Sequence, residues 1–115
     1  MKRVFTTRIT ELLGIDHPVV CGGMTTVGRA EFAAPVSNAG ALGMVTALTT
    51  GSPENLELEI ARTRELTDRP FGINLTILPT INPVPFDEYA DVLANSKVAA
   101  VETAGRNPEQ YIPKF

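Results

Sequence analysis

Short apolar segments alternate with amphipathic segments along the whole of this chain of 115 residues. The apolar segments have the length and composition of buried strands, and they begin near residues 19, 42, 71 and 98. Strands that alternate with helices at this spacing form a parallel sheet with right-handed crossovers. The pattern therefore predicts an α/β fold with the order βαβαβαβ, followed by the start of a further helix near residue 107.

The segments between the predicted strands carry the boundary residues of helices. Ser52 and Pro53 are typical of a helix start, and this helix is predicted to continue to about residue 66. Gly40 is expected to end the preceding helix, in which Pro35 should cause a bend or an early end. Two further helical segments are predicted at residues 7–14 and 86–94.

The composition is that of a globular protein and excludes several classes of partner. Hydrophobic residues make up 43% and charged residues 20%, and the net charge of −3 is not concentrated in a block. We therefore expect no nucleic-acid partner and no attraction to an anionic membrane. The single cysteine, Cys21, cannot form an internal disulfide, and neither a membrane-spanning run nor a secretory signal is recognisable. These features predict a cytoplasmic protein.

The first predicted strand, residues 19–21, runs directly into Gly22, Gly23 and Met24. Because glycine has no side chain, a flat or phosphorylated ligand can approach the backbone closely there. A strand, a glycine turn and then a helix are the local layout of a cofactor site in an α/β protein. An ordinary strand-to-helix turn is the alternative interpretation of the glycines, and Met24 is also suited to filling a gap in a core.

Asn74 is an unusual residue in the third predicted strand, residues 71–75. Its neighbours are apolar, and a buried strand rarely carries an amide of fixed geometry. The amide can both donate and accept a hydrogen bond, which suits a ligand with a polar rim. A polar cap at the end of the strand is the alternative interpretation.

Several motifs follow one another along nearly the whole chain. They occupy residues 7–12, 17–18, 22–24, 27–31, 36–40, 64–76 and 101–105. In this order they resemble the motifs of the nitronate monooxygenase family, once called 2-nitropropane dioxygenases. Within the family, the pattern is most similar to members described as NADH:quinone reductases. The resemblance implies an FMN-dependent oxidoreductase on a TIM (β/α)8 barrel.

The resemblance also implies roles for named residues at the carboxyl ends of the strands, where TIM barrels have their active sites. The backbone of Gly22, Gly23 and Met24 is expected to pack against the flavin ring of FMN. Asn74 is expected to hydrogen-bond the polar edge of that ring. Thr46 also lies at the end of a predicted strand and should reach the same face.

Other residues near these strand ends are given weaker roles or mark departures from the family. Glu102 and Thr103 are candidates for the floor of the pocket. Cys21, interpreted as an inert thiol, stands where the family usually has glutamine, and Thr26 where relatives often carry tryptophan. The only histidine, His17, precedes the first predicted strand, which is the wrong end of a barrel for chemistry, so we interpret it as structural.

A complete barrel of this type has eight strands and needs about 250 residues. The resemblance therefore implies that residues 1–115 are an incomplete domain, the N-terminal half of the barrel, truncated in its fourth helix. The family's catalytic histidine is expected beyond residue 115, so no catalytic residue is assigned in this chain. No metal site is predicted either.

The function implied first is the oxidation of alkyl nitronates with O₂ by an FMN enzyme. An NAD(P)H:quinone reductase is the alternative on the same fold. An inactive truncated fragment, which self-associates through exposed sheet edges, is the alternative without catalysis. The proline-rich segment at residues 78–85 is interpreted either as part of a lid over the flavin or as a surface connection.

Overall fold

The computed structural model describes residues 4–115, and its centre is a parallel three-stranded sheet. The strands, in spatial order, are β1 (Gly43–Thr46), β2 (Phe71–Ile77) and β3 (Ala100–Gly105). The helices are α1 (Arg8–Leu13), α2 (Ala30–Asn38), α3 (Pro53–Leu66) and α4 (Phe86–Ser96), with 3-10 turns at Ala47–Thr50 and Ile112–Lys114. The predicted α/β fold built from parallel βα units is confirmed.

The predicted helix boundaries follow from local capping contacts. Ser52 Oγ accepts a hydrogen bond from Asn55 N at 3.1 Å, so α3 starts where the hydroxyl and Pro53 predict it. Gly14 adopts a left-handed φ of 68° and ends α1. Pro35 lies inside α2, and the helix ends three residues later at Asn38. No helix between residues 4 and 115 is long and apolar enough to cross a bilayer.

The prediction of a buried first strand at residues 19–21 is wrong. This segment makes a single parallel bridge, between Val20 and Leu42. Two backbone hydrogen bonds support it, from Cys21 N to Leu42 O at 2.9 Å and from Leu42 N to Val19 O at 3.0 Å. Val19 and Val20 are 54% and 46% exposed. The segment lies at the edge of the sheet, where it has one neighbouring strand, and the chain then leaves the ladder at the glycines.

The prediction of an α-helix that begins near residue 107 is also wrong. Asn107 Oδ1 accepts a hydrogen bond from Glu109 N at 3.1 Å. This bond to the backbone two residues further on closes a turn, and no α-helix follows it. Pro113 has no N–H group to continue an α-helix, and the segment ends in the 3-10 turn Ile112–Lys114. Tyr111, only 4% exposed, anchors this segment in the core.

The two faces of the sheet have different surroundings. Val45, Ile73 and Val101 are register partners on the face that the helices cover, and they pack with buried residues of α2, α3 and α4. Met44 and Ala100 flank Gly72 on the opposite face. There Met44 packs with Ile15 and Leu42 in a smaller cluster. We call this second surface the inner face, and it carries the candidate site.

Candidate functional site

Three polar residues form one row on the inner face. Thr46, Asn74 and Glu102 are register partners across β1, β2 and β3. Thr46 is the last residue of β1, so the row lies toward the carboxyl ends of the strands. Thr46 and Asn74 are 5% and 3% exposed, and Glu102 is half-buried. Ligands of parallel α/β proteins bind beside this end of the sheet.

Residues 22–24, which we call the glycine loop, lie against this polar row. Glu102 Oε2 accepts a hydrogen bond from Gly23 N at 3.0 Å. Thr46 Oγ1 accepts from Met24 N and donates to Met24 O, both at 3.0 Å. The sheet therefore holds one edge of the loop backbone, while Gly22 and Met24 remain exposed to solvent.

Gly23 is required by the close approach of Asn74. A Cβ atom built on Gly23 would lie 2.4 Å from Asn74 Cβ and 2.5 Å from Asn74 Cγ, which no real side chain could tolerate. A Cβ atom on Gly22 would lie 3.5 Å from Glu102 Oε1, which is ordinary contact. Asn74 Oδ1 accepts a hydrogen bond from Thr76 Oγ1 at 3.0 Å, which fixes the orientation of the amide. The structure thus brings the predicted residues Gly23 and Asn74 into direct contact.

The remaining sequence-based interpretations have different outcomes. Met24 is 36% exposed, so it does not fill a gap in the core. Thr103 is the register partner of Leu75 and lies on the helix side of the sheet, so its prediction as a floor residue is wrong. His17 N donates to Gly40 O at 3.0 Å, which places His17 before β1, at the opposite end of the sheet. Cys21 is half-buried.

Thr46 and Gly28 form a contact that the sequence did not indicate. Thr46 N donates to Gly28 O at 2.7 Å, and Gly28 N donates to Met24 O at 2.8 Å. A Cβ atom on Gly28 would lie 2.2 Å from Thr46 Oγ1. Gly28 therefore leaves room for the hydroxyl that holds Met24. No local signal marks this role, because it depends on which strand neighbours the loop.

We expect Thr46→Val to loosen the glycine loop. Valine has nearly the same shape but leaves Met24 N without its acceptor, and Met24 O keeps only the hydrogen bond from Gly28 N, which together should cost about 1–2 kcal/mol of unfolding free energy. Urea unfolding measures this loss. Thr46→Ser keeps the hydroxyl and is the matched control, with less than half of the effect. A loss in Thr46→Ser without a loss in Thr46→Val would show that the methyl group matters and the hydroxyl does not.

Thr26 has a backbone conformation that is strained for a β-branched residue. Its φ is 66°, and Thr26 N donates to Thr49 Oγ1 at 3.0 Å. Because asparagine tolerates this conformation, Thr26→Asn should stabilise the protein by up to about 1 kcal/mol. Thermal unfolding of this variant and of Thr25→Asn, whose φ is not positive, gives the comparison. A lower melting temperature for Thr26→Asn would contradict the strain.

Other features of the described structure lie outside this site. A groove of about 530 Å³ lies at the amino-terminal ends of β2 and β3, beside Arg64, Pro70 and Lys97. It is at the opposite end of the sheet from the glycine loop, so it is not part of the candidate site.

Within residues 4–115, no three His, Cys, Asp or Glu side chains are close enough to hold a metal ion. Ile81, in the proline-rich segment, is fully exposed, and the lid remains a prediction.

The chain is similar to curated proteins over about 60% of its length and to solved structures over nearly its full length. One similar protein is (3aS,4S,5R,7aS)-5-hydroxy-7a-methyl-1-oxo-octahydro-1H-indene-4-carboxyl-CoA dehydrogenase of Rhodococcus jostii. The two sequences are 45% identical over 69 residues, and this alignment covers 60% of this chain and 19% of that protein. This chain is also 44% identical over 70 residues to nitronate monooxygenase of Pseudomonas aeruginosa, and the alignment covers 61% of this chain and 20% of that protein. These alignments span about a fifth of the curated relatives.

Solved structures of two enzymes share the fold of this chain. FabK from Thermotoga maritima superposes with a TM-score of 0.82 and 37% identity, covering 95% of this chain and 33% of that chain. Nitroalkane oxidase from Streptomyces ansochromogenes superposes with a TM-score of 0.75 and 24% identity, and the superposition covers 94% of this chain and 39% of that chain. This chain therefore has the fold of part of a TIM barrel. The family model for nitronate monooxygenase matches residues 6–114, and the chain belongs to the nitronate monooxygenase family of oxidoreductases.

Proposed function

We propose that residues 1–115 supply part of the FMN site of an oxidoreductase that oxidises alkyl nitronates with O₂. The observation that carries the proposal is the glycine loop. Its backbone is held on one side by Thr46 and Glu102, it contacts Asn74, and Gly22 and Met24 remain exposed. Membership of the family supports the type of reaction.

The residues present fit the isoalloxazine ring of FMN. The ring is flat, with apolar faces and hydrogen-bonding groups on its rim. Gly22, Gly23 and Met24 would bind it through their backbone, and the Asn74 amide would hydrogen-bond its edge. A Cβ atom on Gly23 would displace this amide. The proposed contact between Asn74 and the ring edge therefore depends on glycine at position 23.

Bound FMN would supply the capacity to take electrons from a nitronate and to pass them to O₂. The residues described here would bind and orient the ring. No group in this part of the chain is proposed as an acid, base or nucleophile. The family's catalytic histidine is proposed to lie beyond residue 115, and the cytoplasm is the proposed compartment, on the evidence of the lone Cys21.

A second candidate function is reductase or dehydrogenase chemistry on the same flavin, with NAD(P)H and a quinone as one substrate pair. The names of two similar proteins favour it, since one is a dehydrogenase and another is FabK.

A third candidate is an incomplete domain that lacks catalysis and self-associates. The exposed Val19 and Val20 at the sheet edge favour that candidate.

Assays on the natural full-length protein that contains residues 1–115 separate these functions. The expected result is tightly bound FMN and O₂ consumption with propionate 3-nitronate. Quinone reduction by NADH or NADPH without nitronate oxidation would favour the reductase. Protein that is colourless, and that gains no flavin absorbance with added FMN, would contradict both flavin functions. Asn74→Ala is the site control, and it should weaken FMN binding without loss of the fold.

A further inference from the structure

We propose that Glu102 positions the glycine loop and, through its charge, lowers the reduction potential of the bound flavin. The inference rests on the proposed function, because it assumes that the loop binds a flavin ring. It concerns a residue for which the sequence indicated no role beyond the floor of a pocket.

The geometry places the Glu102 carboxylate directly beneath both glycines. Glu102 Oε2 lies 3.0 Å from Gly23 N, and its two oxygens would lie 3.5 and 3.7 Å from a Cβ atom on Gly22. Asn74, its register partner on β2, fills the space beside Gly23. Hydrogen bonds from backbone N–H groups to carboxylates are shorter and stronger than neutral ones. Glu102 is therefore suited to hold the loop at a fixed height above the sheet.

The charge of this carboxylate has no ion-pair partner in the part of the chain that the structure describes. Among the ion pairs formed within residues 4–115, none involves Glu102. Half-buried charges are screened less than exposed ones, so this charge should act on a ring that lies against the same loop. The ring would lie on the exposed side of the backbone that Glu102 holds from below.

The sign of the effect follows from the charge balance of the reduction. A flavin ring that takes up two electrons and one proton gains one negative charge. The Glu102 carboxylate repels that added charge, so it favours the oxidised ring over the reduced ring. Removal of the carboxylate charge should therefore raise the two-electron reduction potential.

Glu102→Gln tests the charge, because glutamine can still accept the hydrogen bond from Gly23 N. In the natural full-length protein, FMN affinity should change less than threefold, whereas the ratio of reduced to oxidised flavin at a fixed potential should rise about tenfold. A tenfold change corresponds to about 30 mV for a two-electron couple. A reductive titration with dithionite and a reference dye measures this shift. Glu57→Gln, which removes an exposed charge from α3, is the control and should leave the potential unchanged.

Glu102→Ala tests the positioning without any cofactor. It removes the acceptor, so the Gly23 amide should exchange with deuterium at least tenfold faster in FMN-free protein, whereas Glu102→Gln and Glu57→Gln should retain slow exchange. A wild-type protein that binds FMN, together with unchanged potential in Glu102→Gln, would overturn the charge effect and leave the proposed function intact. Unchanged exchange in Glu102→Ala would overturn the positioning role. A wild-type protein that binds no flavin would overturn the proposed function and, with it, the effect on the potential.

Discussion

Replacement of Gly23 with alanine should destabilise the protein by about 1–3 kcal/mol and weaken FMN binding at least tenfold. The added Cβ atom would lie 2.4 Å from Asn74 Cβ, so either the amide or the loop has to move. Asn74 is 3% exposed and has little room to retreat. A displaced loop would also lose the hydrogen bond from Gly23 N to Glu102. Urea unfolding and fluorescence titration with FMN, on the full-length protein, measure the two effects.

Gly22→Ala is the matched control for this prediction. It adds the same methyl group to the neighbouring residue, where the nearest atom, Glu102 Oε1, would lie at 3.5 Å. We expect a change in unfolding free energy below about 0.5 kcal/mol, because ordinary contact requires no movement. If both variants lost FMN equally, the backbone itself would be the sensitive element and the contact with Asn74 would not matter. If neither variant changed, the loop would not be held against the sheet as described.

The local part of the fold could be predicted from the sequence because its signals are local. Ser52 and Pro53 mark the start of α3 within one turn of chain, and Gly14 marks the end of α1. The two errors arise where tertiary surroundings decide. Residues 19–21 have the composition of a buried strand, but they lie at a sheet edge with only Leu42 as a bridge partner. Asn107 and Pro108 resemble a helix start, but they close a turn.

The candidate site could be predicted only in part, for the same reason. Gly22, Gly23 and Asn74 stand out in the sequence as residue types that are unusual for their position. The roles of Thr46 and Glu102 depend on the register between strands, which places them beside Asn74. The sequence also indicated a different reason for the glycines, namely space for a ligand. The structure shows that the missing side chain of Gly23 makes space for Asn74.

Gly43→Ala should strongly destabilise the protein, although Gly43 lies outside the candidate site. Its Cβ atom would lie 2.1 Å from Ala33 O, 2.8 Å from Ala33 C and 3.0 Å from Ala33 Cα. These are backbone atoms of α2, so no side-chain rotation can relieve the clash, and the helix has to move away from β1. Gly43 N also donates to the buried Ser37 Oγ at 3.1 Å, and this bond would stretch. We expect a loss of about 3 kcal/mol or more in unfolding free energy.

Gly51→Ala provides the comparison with a glycine that is not crowded. A Cβ atom on Gly51 has only Asn55 Nδ2 within reach, at 3.9 Å, but its φ of 89° makes alanine strained there, at a cost of about 1 kcal/mol. Because Gly43 has no positive φ, its loss reports the contact between α2 and β1, and it should exceed the loss from strain alone in Gly51→Ala. Because β1 ends at Thr46, this movement should reach the glycine loop and weaken FMN binding as well. Losses of similar size in the two variants would contradict the close packing of helix on strand. Unchanged FMN affinity in Gly43→Ala would show that Thr46 is positioned independently of α2.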